Sequence, residues 1–270
     1  MSDLHPRVSV NAISSFSWTL SQDLDYWPAN GIGQIGLAHH KLEQCGWEQA
    51  LTQVRSAPLR CSCLVGAPVI PLDQPDHWDG ARAALYRAID GAAEVKAGCL
   101  FVGGRPGGLT SDGAATAFVD AIGPVARYAE ERRVALAFEH TNPLRRDLGF
   151  IHTLADGIDF AAESGIGLDV ELNNCWVERH LDTLFRRGLR HIRLVQVSDF
   201  VVGTFDTPNR AVPGDGDIPL ASIIGLVLEA GYAGPFDLEL IGPRIEAEGY
   251  ASAITRGSQW LSDLLDRLGA

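Results

Sequence analysis

Four oxygen-bearing side chains occupy matching places in four consecutive strand-like runs. They are Glu139 in residues 134–139, Asp169 in 167–170, Gln196 in 192–197 and Glu239 in 236–240. Alternate residues of a strand share a face. Val134, Leu136 and Phe138 make a bulky face, whereas Ala135, Ala137 and Glu139 make a small one suited to a crowded interior. Gly167 with Asp169, Leu194 with Gln196, and Asp237 with Glu239 form the corresponding inward pairs. Three carboxylates turned toward one another repel, and a divalent cation removes that repulsion. Glu139, Asp169, Gln196 and Glu239 are therefore candidate metal ligands. Three carboxylates and one amide oxygen form a hard, all-oxygen set suited to Mn²⁺ or Mg²⁺, with Co²⁺ or Zn²⁺ also accommodated.

Such a set needs a scaffold that gathers strand ends. Strand-like runs at 8–11, 34–37, 59–65, 99–103, 134–139, 167–170, 192–197 and 236–240 alternate with amphipathic segments, among them 81–97, 114–133, 153–163 and 218–230. Eight strands with helical crossovers predict an α/β fold, one (β/α)8 TIM barrel spanning residues 1–270 as a single domain. The candidate ligands then stand at the C-terminal mouth, where barrel enzymes do their chemistry. A doubly wound open sheet is the second architecture. Against it, no GxGxxG follows the first strand and no P-loop occurs.

The 270-residue chain is 46% hydrophobic, enough for a large core, and no Pro/Ser/Gly-rich linker divides it. No apolar run reaches the roughly 18 residues of a membrane span. Residues 1–7 have no apolar signal core, so a cytoplasmic location is expected. A net charge of −12 repels phosphate backbones and disfavours nucleic acid as a partner. The five cysteines include no CxxC and read as reduced, buried thiols. Cys61 and Cys63 are expected on one face of a strand.

At these residues the sequence resembles the sugar isomerase/epimerase superfamily, with the xylose-isomerase-like barrel. Glu139-His140-Thr141-Asn142 looks like that family's ExxN after the fifth strand, and Gly167-Leu168-Asp169-Val170 like its aspartate strand. Val195-Gln196-Val197-Ser198-Asp199 looks like the seventh strand, and Asp237-Leu238-Glu239 closes the pattern. Many relatives have histidine in place of Gln196; the hydroxypyruvate isomerase branch is similar in having glutamine. That branch also has an Arg…Pro-Gly-x-Gly-acid segment, here Arg210 to Asp217. One departure stands out: Leu172 takes the place of a substrate-contacting histidine, with Asn173 and Asn174 after it. Asn173 either substitutes for that histidine or caps a turn.

The resemblance implies a divalent-metal-dependent isomerase or epimerase acting on a small hydroxy-carbonyl compound: a sugar, keto-sugar or sugar acid. The metal would stabilise an enediolate as a Lewis acid. Glu139 and Glu239 are the expected catalytic pair that removes and returns a proton beside the carbonyl. The alternative is a lyase or dehydratase, inosose-dehydratase-like, using the same enediolate. A non-enzymatic binding subunit is a third class, and the acidic ligands disfavour an endonuclease. Expected substrate-binding residues are His39, Asn142, Arg210 and Arg244, with Asp199 just behind the metal. His39, His40 and Lys41 either line the mouth or form a solvated loop. Asn11 ends the first strand with the same two readings. Trp18 and Trp176 either wall the site or pack in the core. Gly103–Gly108 reads as a backbone turn at the mouth. A homo-oligomer, dimer or tetramer, is compatible with the sequence.

Overall fold

A computed structural model describes residues 4–270. Residues 1–3, part of the segment read as lacking a signal core and of the expected 1–270 domain, lie outside the described residues. Eight parallel strands close into a barrel. They are β1 (Val8–Asn11), β2 (Gln34–Ala38), β3 (Arg60–Val65), β4 (Cys99–Phe101), β5 (Leu136–Glu139), β6 (Gly167–Glu171), β7 (Ile192–Val197) and β8 (Phe236–Leu238). Neighbours in sequence are neighbours in the sheet, and Val8 opposite Phe236 closes the ring. Among the described residues, no helix is long and apolar enough to cross a membrane.

The expected helices are present. They run Trp78–Glu94, Ser111–Glu131, Leu154–Ser164 and Leu220–Glu229. Two of them start at a threonine cap. Thr110 Oγ1 accepts from Gly113 N at 3.2 Å, and Thr153 Oγ1 from Asp156 N at 3.1 Å. Apolar residues on the outward face of the strands pack against these helices, as Leu136 and Phe138 do. The inward face builds a separate small core of Cys63, Val65, Cys99, Ala137 and Leu194. The alternation read from residues 134–139 is thus the division between the two cores.

β3 departs from simple alternation. Ile35 aligns with Cys61 and its neighbour Gly36 with Cys63, so Ser62 is an extra residue in the ladder. The bulge separates the two cysteines: Cys61 joins the outer core and Cys63 the inner one. The expectation of a shared face is corrected accordingly. Ser62 turns inward with Ser9, their hydroxyls 2.7 Å apart. Ser9 donates to Asp237 Oδ1 at 2.6 Å and Asn11 Nδ2 to Asp237 Oδ2 at 2.7 Å. Gly36 makes room for this layer, since a Cβ there would stand 2.7 Å from Asn11 Nδ2. Two runs end earlier than expected, β4 at Phe101 and β8 at Leu238. Beyond β4, Gly104–Arg105 pairs with Ile70–Pro71 in a small two-stranded ledge, which replaces part of the expected backbone turn.

Lys41 does not reach the mouth. It is buried in the helix His39–Cys45, where Nζ donates to Asp23 Oδ2 at 2.6 Å, Ser15 O at 2.8 Å and Ser15 Oγ at 2.9 Å. Burial pushes the Asp23 carboxyl up to about 6, against the pull of Lys41 and Ser15. Removing one partner of such a pair leaves a buried charge without compensation. Lys41→Met is therefore expected to cost about 3–5 kcal/mol in urea unfolding, and adding Asp23→Leu should recover most of it. A single-variant loss within the range of an exposed pair, below about 1 kcal/mol, would contradict this reading.

Candidate active site at the mouth of the barrel

Beyond the C-terminal strand ends lies a cavity of about 330 Å³, a size that suits a small molecule. Glu139, Asp169, Gln196 and Glu239 all line it. Glu139 ends β5 and aligns with Asp169 in β6. Gln196 in β7 aligns with Glu171 on one side and Asp237 on the other. Glu239 lies one residue past β8, its N–H still reaching Val197 O at 3.1 Å. The Gln196 amide donates through Nε2 to Glu239 Oε2.

Two residues extend this set beyond the sequence reading. Glu171, fully buried, is the next inward position after Asp169. Its Oε2 accepts from Arg210 Nη1, while Oε1 accepts from Asn173 N at 2.9 Å and Ser198 Oγ at 3.3 Å. Arg210 Nη1 also donates to Glu239 O at 3.0 Å and lies 3.4 Å from Glu239 Oε1. Arg210 thus joins two acidic residues and is not a free anion receptor. The second addition is Asn174, whose Nδ2 donates to Glu139 Oε1 at 2.9 Å and His140 O at 3.0 Å. Continuing the alternation to 171 exposes Glu171; nothing in the sequence singles out Asn174 over Asn173.

The electrostatics follow from crowding. Burial, reinforced by Glu239, raises the Glu139 carboxyl well above the usual carboxylate range. Burial and then the charges of Glu139 and Glu239 do the same to Asp169. Burial raises Glu171 too, with Arg210 opposing it. For Arg210, burial alone would lower the guanidinium, but Glu171 and Glu239 prevail and keep it charged. Below these groups, burial lifts Asp237 to about 6 despite bonds from Ser9 and Asn11. Burial pushes His140 down to about 4, so its imidazole is neutral.

Do these residues fit a divalent cation? Asp169 and Gln196 are 2% and 1% exposed, and Asp169 Oδ1 and Gln196 Oε1 have no hydrogen-bond partner. Two buried, partnerless acceptor oxygens in one acidic cavity are the environment a hard cation satisfies. Among the described residues, no three His, Cys, Asp or Glu side chains already form a metal cage. The amide in the candidate set accounts for part of this, and Glu239 is held by Gln196 and Arg210. The donor chemistry fits a hard cation, and Glu239 would be shared between it and Arg210.

The other expected residues divide clearly. Asn142 lines the cavity, although its Oδ1 accepts from Leu144 N at 2.9 Å. His39 does not line it: its ring packs 5.1 Å from that of Trp47. Arg244 is exposed in the helix Pro243–Glu248, also outside the cavity. Asp199 spends its carboxylate on backbone groups. It accepts from the N–H groups of Phe200, Gly214, Gly216 and Ile218 at 2.9–3.1 Å. Its backbone also pairs with Ala211. Asp199 therefore anchors the loop that presents Arg210. Asn11 serves Asp237, and Trp18 packs near Tyr26 and Tyr250. Trp176 packs against the outer core. Leu172 turns into that core, and Asn173 Nδ2 is spent on Ser198 Oγ and Asp199 O. Sequence reading also missed Asn209, which lines the cavity with a buried, partnerless Oδ1.

Comparison with known proteins places this fold. The chain overlays a protein of Sinorhizobium meliloti 1021 with a TM-score of 0.86 at 23% identity, covering 95% of this chain and 98% of that one. IolI protein with a bound zinc atom gives 0.82 at 15% identity, covering 97% and 99%. D-psicose 3-epimerase in the presence of D-fructose gives 0.76 at 16% identity, covering 98% and 100%. At these identities the likeness is one of fold. No curated protein sequence matches the chain. A family model described as xylose isomerase-like TIM barrel matches residues 27–264. With most of its length matched, the chain belongs to the xylose isomerase-like TIM barrel family.

Proposed function

We propose that this protein is a divalent-metal-dependent isomerase or epimerase of a small hydroxy-carbonyl compound. The observation that carries the proposal is the pair of buried, partnerless oxygens, Asp169 Oδ1 and Gln196 Oε1, in a cavity shared with Glu139 and Glu239. The epimerase and the zinc-containing IolI protein among the fold neighbours are in keeping with it.

Glu139, Asp169, Gln196 and Glu239 would hold the ion, with Mn²⁺ or Mg²⁺ the best match to all-oxygen donors. Bound there, it would polarise the substrate carbonyl and offset charge developing on that oxygen. Glu139 and Glu239 are the proton carriers. One takes the proton from carbon beside the carbonyl, and the other returns one. Asn174 orients Glu139, while Gln196 and Arg210 orient Glu239. Arg210 also keeps a fixed positive charge beside Glu239.

Two outcomes test this reading. In D₂O, wild-type protein supplied with Mn²⁺ is expected to place deuterium at the carbon beside the carbonyl in a panel of ketoses, sugar acids and cyclitols. Glu139→Gln and Glu239→Gln should each reduce that exchange by about 10²-fold or more. Turnover of a confirmed substrate with no deuterium uptake, and with both variants fully active, would overturn the mechanism. A dehydratase would exchange the same hydrogen but give a product lighter by one water. Separately, Gln196→His replaces a neutral oxygen donor by nitrogen. It should move the metal preference from Mn²⁺ toward Zn²⁺ or Co²⁺ in calorimetric titrations. An unchanged order of affinities would remove Gln196 from the ligand set.

A further inference from the structure

The cavity has two chemically distinct parts. Its floor is acidic and polar, while its upper wall is apolar. Val69, Phe101, Leu144, Leu148, Phe205 and Ile241 all face the cavity. Leu144 and Phe205 are 69% and 90% exposed, so this apolar surface continues to the rim. Large apolar side chains held at such exposure cost free energy unless something covers them. A polyhydroxylated compound offers such a wall only its C–H faces and covers less of it than an apolar group does.

The charges in the cavity are equally selective. Its basic side chains are Arg145 and Arg210. Arg145 is committed to Asp147 through two bonds of 3.0 Å, and Arg210 to Glu171 and Glu239. Asp206 adds a further acid to the lining. A divalent cation and Arg210 together carry no more charge than Glu139, Asp169, Glu171 and Glu239. An anionic substrate would therefore enter an acidic vestibule whose two arginines are already paired with carboxylates. The partnerless Asn209 Oδ1 is an acceptor, suited to a hydroxyl group and not to a carboxylate or phosphate.

We infer that the substrate is an uncharged hydroxy-carbonyl compound bearing an apolar group, which packs on the wall of Phe101, Leu148 and Phe205. The inference rests on the isomerase reading above and narrows it. Sugar acids and sugar phosphates are excluded as preferred substrates. The hydroxy-carbonyl end lies on the acidic floor, and the apolar end reaches toward the rim.

Three probes share one reacting unit, HOCH₂–C(=O)–, and differ only in what is attached. These are 2-hydroxyacetophenone, dihydroxyacetone and hydroxypyruvate. Binding to the Mn²⁺-supplemented protein is measured by calorimetry, and exchange of the CH₂ hydrogens in D₂O by NMR. The phenyl ketone should bind about tenfold or more tighter than dihydroxyacetone, with hydroxypyruvate weakest. Phe101→Ala should reduce the phenyl-to-dihydroxyacetone ratio severalfold. Phe205→Ala, at an exposed loop position that does not carry the fold, should reduce it in the same direction. Hydroxypyruvate binding as tightly as the phenyl ketone, or a ratio unmoved by both variants, overturns the inference while exchange leaves the isomerase reading standing. Failure of all three probes to bind or exchange overturns both.

Discussion

Mutual repulsion among buried carboxylates is the constraint on which the rest of this site depends. Glu139, Asp169, Glu171, Asp237 and Glu239 gather at or just past the ends of three strands of one barrel, β5, β6 and β8. Each loses hydration on burial and raises the energy of its neighbours' charged forms. The fold offsets this with specific partners. Ser9 and Asn11 serve Asp237, Asn174 serves Glu139, and Arg210 bridges Glu171 and Glu239. Asp169 Oδ1 and Gln196 Oε1 are left without a donor. A hard cation is the ligand that this remaining deficit calls for.

The supporting structure is organised around the same demand. Small inward side chains such as Ala137, and the glycine at position 36, open the barrel enough for a polar layer. The bulge at Ser62 turns a hydroxyl toward Ser9 where strict alternation would not. Asp199 gathers four backbone N–H groups and so fixes the loop after β7. That loop carries Arg210, whose position sets the electrostatic balance of the mouth. Gly242 has the same effect from the other side. With φ at +118°, it passes so close to the chain at Pro208 and Asn209 that a Cβ would meet Pro208 O at 2.5 Å.

The barrel was legible because its strands carry the period-2 pattern on both cores and apolar stripes mark the helices between them. The clustering of Glu139, Asp169, Gln196 and Glu239 in one cavity was legible for the same reason: face and strand end can be counted along the chain. What escaped depends on loops and on departures from counting. Glu171 lies one step beyond the apolar run that defines its strand. Cys61 and Cys63 were assigned one face because a bulge has no local signature. His39 and Arg244 follow strands two and eight, yet helix direction carries both away from the cavity. The partners of the Asp199 carboxylate are backbone groups up to nineteen residues ahead, at Ile218, which no local pattern announces.

An acidic floor of this composition should hold one divalent ion. Calorimetric titration of the chelator-treated protein with Mn²⁺, followed by elemental analysis of the dialysed sample, tests it most directly. The account predicts one ion per chain, a higher unfolding temperature on binding, and loss of both with Asp169→Ala. Absence of bound metal after saturation, or uptake unaffected by Asp169→Ala, would contradict it.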